Sequence, residues 1–169
     1  MRIAARSLLF SAPLLALALA ACAPAPIYKN TANAIVATPA QVAQSPERYT
    51  GNRLIWGGRV VAVNNLADHS EIELLAYPLD SSQRPKANDT GNGRFIAVMP
   101  GYVEPLSYPP GALMTLSGTL NGSRSGKVGE ASYVFPLVTV NESHVWSAEE
   151  MRKGHNNVHF GVGLGVGIR

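Results

Sequence analysis

The chain has 169 residues, 46% of them hydrophobic and 15% charged, with a single cysteine and a formal charge of +3. Such a length holds one modest core, and one cysteine excludes an internal disulfide. Setting aside Arg2 and Arg6, which fall in a leader, reduces the 14 basic residues to 12 against 11 acidic ones, spread singly, so nothing forms the basic stripe of a nucleic-acid binder.

Met1 to Arg6 make a short basic region, and Ser7 to Ala20 an apolar stretch, the layout of a secretory signal. A membrane-spanning helix needs about 20 apolar residues. Pro13 interrupts this run, and Ala23-Pro24-Ala25-Pro26 cannot prolong a helix, because proline lacks the amide donor and clashes with the preceding turn. Residues 1–21 are therefore read as a cleaved leader. Leu19-Ala20-Ala21-Cys22 resembles the lipobox of bacterial lipoproteins, an aliphatic residue and two small ones before cysteine. That resemblance implies that Cys22 is thioether-linked to diacylglycerol, becomes the first residue of the mature chain and is N-acylated. Ala23 is not the Asp associated with inner-membrane retention, which by similarity favours the outer membrane.

Residues 22–37, rich in Pro, Ala and Asn, are expected to form a flexible tether with little to pack. Thr38-Pro39 then gives an N-cap residue followed by proline at the first helical position, so a short helix is expected over Pro39 to Gln44; Ser45-Pro46 repeats the signal and Thr50-Gly51 stops it. From Arg53 the pattern turns strand-like. Five strands are expected, over Arg53 to Val63, Glu71 to Tyr77, Gly93 to Met99, Leu113 to Leu120 and Tyr133 to Val140. Asn64-Asn65, the stretch Pro78 to Asn92, Pro100-Gly101, Pro109-Pro110-Gly111 and Asn121-Gly122 carry the turn chemistry between them. Glycines interrupt the first strand at Gly57-Gly58 and the fourth at Gly118, where they permit a sharp bend. The fold is thus expected to be mainly β, a small five-stranded OB-like Greek-key barrel over residues 38–147 with a short N-terminal helix, the alternative being a β-sandwich. In the tail, 148–169, Phe160 to Ile168 alternates apolar residue with glycine. As a strand it would suit contact with an envelope protein or with its own copy; otherwise it is a disordered terminus.

The ordered motifs resemble the Slp (starvation-inducible) family of outer-membrane lipoproteins. They are Ser45-Pro46-Glu47 with Tyr49 and Gly51; Trp56-Gly57-Gly58-Arg59-Val60; Glu73, Pro78-Leu79-Asp80 and Arg84-Pro85; Gly93-Arg94-Phe95; Tyr108 and Gly111; Gly129-Glu130, Tyr133 and Pro136; and Val145-Trp146. The resemblance implies a small envelope lipoprotein linked to stress or stationary phase, held to outer-membrane lipid through Cys22. It supplies no catalytic residues to carry over.

The residues themselves suggest little chemistry. No phosphate-binding loop and no Gly-x-Ser-x-Gly elbow occurs. His155 and His159 have metal-pair spacing, but Gly154 and Asn156-Asn157 disfavour a helix and no third ligand is near. No catalytic role, metal or cofactor is expected. Aromatic residues could instead form a stacking surface for a sugar or an envelope metabolite, with Trp56, Arg94 and Phe95 as the candidate binding residues; the competing reading is that such rings fill the core. Strand alternation places Arg94 and Phe95 on opposite faces.

Overall fold

The computed structural model describes residues 25–29 and 33–152. The leader, Cys22, the His155/His159 pair and the glycine-alternating tail lie outside the described residues. In chain order the elements are β1 (Ala34–Ile35), α1 (Pro39–Gln44), β2 (Arg53–Asn65), β3 (His69–Tyr77), β4 (Arg94–Pro100), β5 (Leu113–Val128), β6 (Ala131–Trp146) and α2 (Ala148–Arg152).

β2 pairs antiparallel with β3, β3 with β4, and β5 with β6, while β4 and β6 run parallel. A further antiparallel ladder joins β2 to β5 and closes the ring β2-β3-β4-β6-β5. One closed five-stranded sheet replaces the two separate sheets that a sandwich would need. The expected OB-like barrel is thus the observed one, with β1 added in parallel at the start of β2.

Closure depends on β2 being paired on both sides at once. Gly57 faces Tyr77 of β3 and Thr115 of β5, and Gly58 faces Ala76 and Met114. The neighbours approach so closely that a Cβ on Gly58 would stand 2.2 Å from the Leu75 carbonyl oxygen. Gly118 plays the same part in β5, where a Cβ would lie 2.5 Å from the Thr139 carbonyl oxygen.

Two strands run longer than their apolar pattern indicates. β5 continues past Leu120 to Val128, and β6 spans Ala131–Trp146 instead of Tyr133 to Val140. Asn121-Gly122, read as a turn, is a bulge: the register steps from Leu120↔Val138 to Ser123↔Pro136, with Gly122 at φ 89°. The chain reverses later, at Gly129-Glu130. The hairpin arm between bulge and reversal carries Ser, Arg, Gly and Lys, so it shows no alternation of apolar residues to betray a strand.

Leu54, Ile72, Leu74, Phe95, Leu116 and Val138 fill the barrel. Val42 of α1 joins them with no exposed surface, plugging the end where β4 begins. Six residues are too few for an isolated helix, so α1 is held by its cap and its burial. Thr38 Oγ1 accepts from the Gln41 amide at 3.2 Å while Gln41 Oε1 accepts from the Thr38 amide at 2.9 Å. Burying Val42 adds about 1.5–3 kcal/mol.

The expected tether fails over its described part. Tyr28 is buried, Ala34 and Ile35 pair with Arg53 and Leu54, and the Trp56 indole N–H donates to the Ala37 carbonyl at 2.8 Å. A compositional reading misses this because the partners stand far off in sequence.

Gly58→Ala should lower stability by about 3 kcal/mol, because the new methyl meets backbone that cannot step aside. Urea unfolding monitored by circular dichroism measures it, and an unchanged midpoint would contradict the close-approach account.

Candidate functional site

The three candidate binding residues do not form one surface. Trp56 and Phe95 meet edge to face, ring centroids 5.1 Å apart at 65°. Phe95 has no exposed surface and is spent on the core, whereas Trp56, 6% exposed, packs on Phe95 and keeps one edge toward the hollow beside β1. Arg94 stands on the opposite, outer face, as alternation requires, and its guanidinium pairs with Glu73 on β3. Its backbone N–H donates to the Tyr133 hydroxyl at 2.7 Å, tying the β6 half of the arm to the start of β4.

Further along the outer face of β3, Arg124 of the arm grips Glu71 through two parallel bonds, Nη1 to Oε1 and Nη2 to Oε2, each 2.8 Å. His69 Nε2 lies 3.4 Å from Glu71 Oε1, and His69 Nδ1 lies 2.7 Å from Asp68 Oδ1. The Arg124 bond holds the Glu71 carboxyl below its ordinary range against the opposing effect of burial. The Asp68 bond raises His69, and His69 in turn lowers Asp68. In sequence Asp68-His69-Ser70 carries the three residue types of a nucleophilic site. The strand separates them, since Ser70 faces inward and its hydroxyl is held by Asn65 Oδ1 and the Gly101 carbonyl.

A second polar network gathers around Gln83. Gln83, at φ 66°, presents its side-chain amide to the backbone of Tyr28: the Tyr28 N–H donates to Gln83 Oε1 at 2.8 Å, and Gln83 Nε2 donates to the Tyr28 carbonyl at 3.1 Å. The Tyr28 hydroxyl donates to the Thr115 carbonyl at 3.0 Å, and burial, aided by Glu142, pushes that phenol up to about 12. Thr115 Oγ1 donates to the Gln83 carbonyl at 2.7 Å and accepts from the Trp146 indole at 2.9 Å. Arg84 lies 5.8 Å over the Trp146 ring, with Nη1 donating to the Glu150 carbonyl. Asp80 Oδ1 shapes the loop by accepting from the Ser82 and Arg84 amides at 2.8 and 2.9 Å. The whole acts as a clasp joining the N-terminal segment, the β3–β4 loop and the end of β6. Only the Asp80-Ser81-Ser82 turn was visible in the sequence; the Tyr28–Gln83 pair spans 55 positions.

Beside β1 lies a hollow of about 540 Å³ whose walls include Ile35, Pro39, Trp56, Tyr77 and Leu79. Among the described residues no three His, Cys, Asp or Glu side chains gather as a metal site.

Comparison with known proteins bears on all of this. The family described as "Outer membrane lipoprotein Slp family" matches residues 19–162. An uncharacterized lipoprotein, YeaY, of Escherichia coli K12 is 33% identical over 106 residues, covering 63% of this chain and 54% of its own. An uncharacterized protein of Haemophilus influenzae is 34% identical over 92 residues, 54% of this chain and 50% of its own. The outer membrane protein Slp of E. coli K12 is 30% identical over 135 residues, 79% of this chain and 71% of its own. The chain thus spans about half the length of the first two relatives. Among solved structures, a small single-stranded DNA-binding protein from Streptomyces coelicolor is similar at TM-score 0.37 and 13% identity, over 59% of this chain and 97% of the other. A putative aspartyl-tRNA synthetase from Leishmania major is similar at TM-score 0.41 and 12% identity, over 80% and 26%.

The Glu71–Arg124 pair yields a pH prediction. A lowered Glu71 adds stability above its unfolded value that is lost as pH falls through the folded one. A raised His69 adds stability at low pH that is lost as pH rises through its folded value. The arm should therefore be held best between the two. Amide exchange across residues 121–136 should accelerate relative to the core on going from about pH 7 to about pH 3, once corrected for intrinsic rates. Arg124→Met should cost about 1–2 kcal/mol and remove most of that dependence; a dependence unaltered in the variant would contradict the assignment.

Proposed function

The chain belongs to the Slp family of outer-membrane lipoproteins, and from that premise we propose that Cys22 carries the anchor and that the barrel serves a structural or binding role in the envelope, in stress or stationary phase. The signal protease would cut before Cys22, whose sulfur would hold diacylglycerol and whose amine a third acyl chain. At about 0.8 kcal/mol per buried CH₂, several chains make a lasting anchor where one would be marginal.

What supports a non-catalytic reading is how the polar side chains are employed. Glu71, Arg84 and Gln83, each at 8% exposure, are engaged with Arg124, the Trp146 corner and Tyr28, so these buried polar groups hold chain segments in place. The tail beyond residue 158 is the segment proposed for contact with an envelope protein or a second copy.

One observation favours a second reading, recognition of an oligosaccharide or small envelope metabolite. The hollow beside β1 is walled by two aromatic residues, Trp56 and Tyr77, with apolar Ile35 and Leu79.

Cys22→Ala should abolish incorporation of radioactive palmitate and release the protein from membranes; unchanged labelling would contradict the anchor. For the second reading, titration with a β-1,4-linked N-acetylglucosamine oligomer should change tryptophan fluorescence saturably, and Tyr77→Ala should weaken the response about tenfold, near 1.4 kcal/mol. A flat titration would remove that reading.

A further inference from the structure

Ile27 lies five positions after Cys22, and at no more than about 3.6 Å per step this keeps Cys22 within about 18 Å of it. Ile27 itself sits in a shallow hollow with Arg53, Ser117 and Glu142, on the outer face where β2 and β5 pair. The next residue is Tyr28, fixed through backbone and hydroxyl by Gln83 and Thr115. Were those bonds absent, the next strand pairing among the described residues would be that of β1 at Ala34, 12 positions from Cys22 and about 43 Å from it when extended. The clasp, fixed at Tyr28 six positions from Cys22, therefore halves the leash.

We infer that the clasp at Tyr28 sets the barrel's orientation in the envelope, holding the outer β2–β5 face around Ile27, Lys29 and Arg53 against the phosphate headgroups of the leaflet in which the acyl chains sit. The inference rests on Cys22 being the anchor. Two features select a headgroup layer as the occupant. The leash ends in that layer, and the face bears two exposed cations, Lys29 and Arg53, against one exposed carboxylate, Glu142. The attraction of these cations to an anionic surface adds to the constraint without replacing it. The β2–β3 loop is then the far end, because β2 leaves that face at Arg53 and reaches the loop 13 residues later at Asn65.

The lipidated full-length protein tests this. Because lipidation consumes the Cys22 sulfur, a second cysteine takes a fluorophore selectively. Asn141→Cys marks the proposed membrane side and Ala67→Cys the far loop, both exposed positions. In vesicles of phosphatidylethanolamine and phosphatidylglycerol with a headgroup spin label, the Asn141 position should be quenched at least about twofold more than Ala67, given their separation along the barrel. Tyr28→Ala combined with Gln83→Ala should erase the difference. So should a Gly-Ser spacer of about 12 residues placed between Pro24 and Ala25, which leaves the barrel untouched and serves if the double variant misfolds. Equal quenching in the unaltered protein, or a difference that survives the spacer, overturns the orientation. Failure of the unaltered protein to sediment with vesicles instead overturns the Cys22 anchor, and the orientation with it.

Discussion

The narrow passage of β2 between β3 and β5 at Gly57-Gly58 governs the rest of the molecule. A five-stranded ring closes only if one strand bends sharply enough to pair on both flanks, and side chains at the bend would collide with neighbouring carbonyls. The bare outer side of Gly57 has a second effect. Leu79 settles against it, within 2.8 Å of where a Cβ would be, and draws the start of the β3–β4 loop onto the barrel wall. The Leu79↔Pro85 bridge then holds Gln83 over Thr115, within reach of Tyr28. Ring closure, loop placement and the capture of the N-terminal segment all follow from the absence of side chains at Gly57-Gly58.

Much of the barrel was legible because its signals are local. Thr38-Pro39 announced α1, Gly57-Gly58 and Gly118 announced the bends, and apolar alternation located five strands. The long-range polar ties were not legible. Arg124 and Glu71 lie 53 positions apart, and Tyr28 and Gln83 lie 55 apart. Each looks like an ordinary surface residue until the fold brings its partner. The β5 half of the arm was hidden for a related reason: Ser123 to Lys127 are exposed on both faces and carry no period-2 apolar pattern. Trp56 and Phe95 show the converse limit. Alternation separates Phe95 from Arg94 onto opposite faces, but it does not say which face is the core.

The two outer networks divide the labour. Arg124–Glu71 and Arg94–Tyr133 fasten the β5–β6 arm to β3 and β4, whereas the Tyr28–Gln83–Thr115–Trp146 clasp fastens the N-terminal segment to β5. The first depends on charge and responds to pH. The second is built chiefly of neutral hydrogen bonds, apart from the Arg84 edge, and the raised Tyr28 phenol keeps its proton throughout the physiological range. A neutral, buried fastening suits a part that must hold whatever the ionic conditions at a membrane surface.

All of this places the barrel's first described tie, at Tyr28, six positions along the chain from Cys22, the proposed lipid anchor. The most direct test is mass spectrometry of the N-terminal peptide of the mature protein isolated from outer membranes. The account predicts a peptide that begins at Cys22 and carries a diacylglyceryl group on sulfur and an acyl chain on nitrogen. A peptide that retains residues 1–21, or one that begins with an unmodified Cys22, would contradict it.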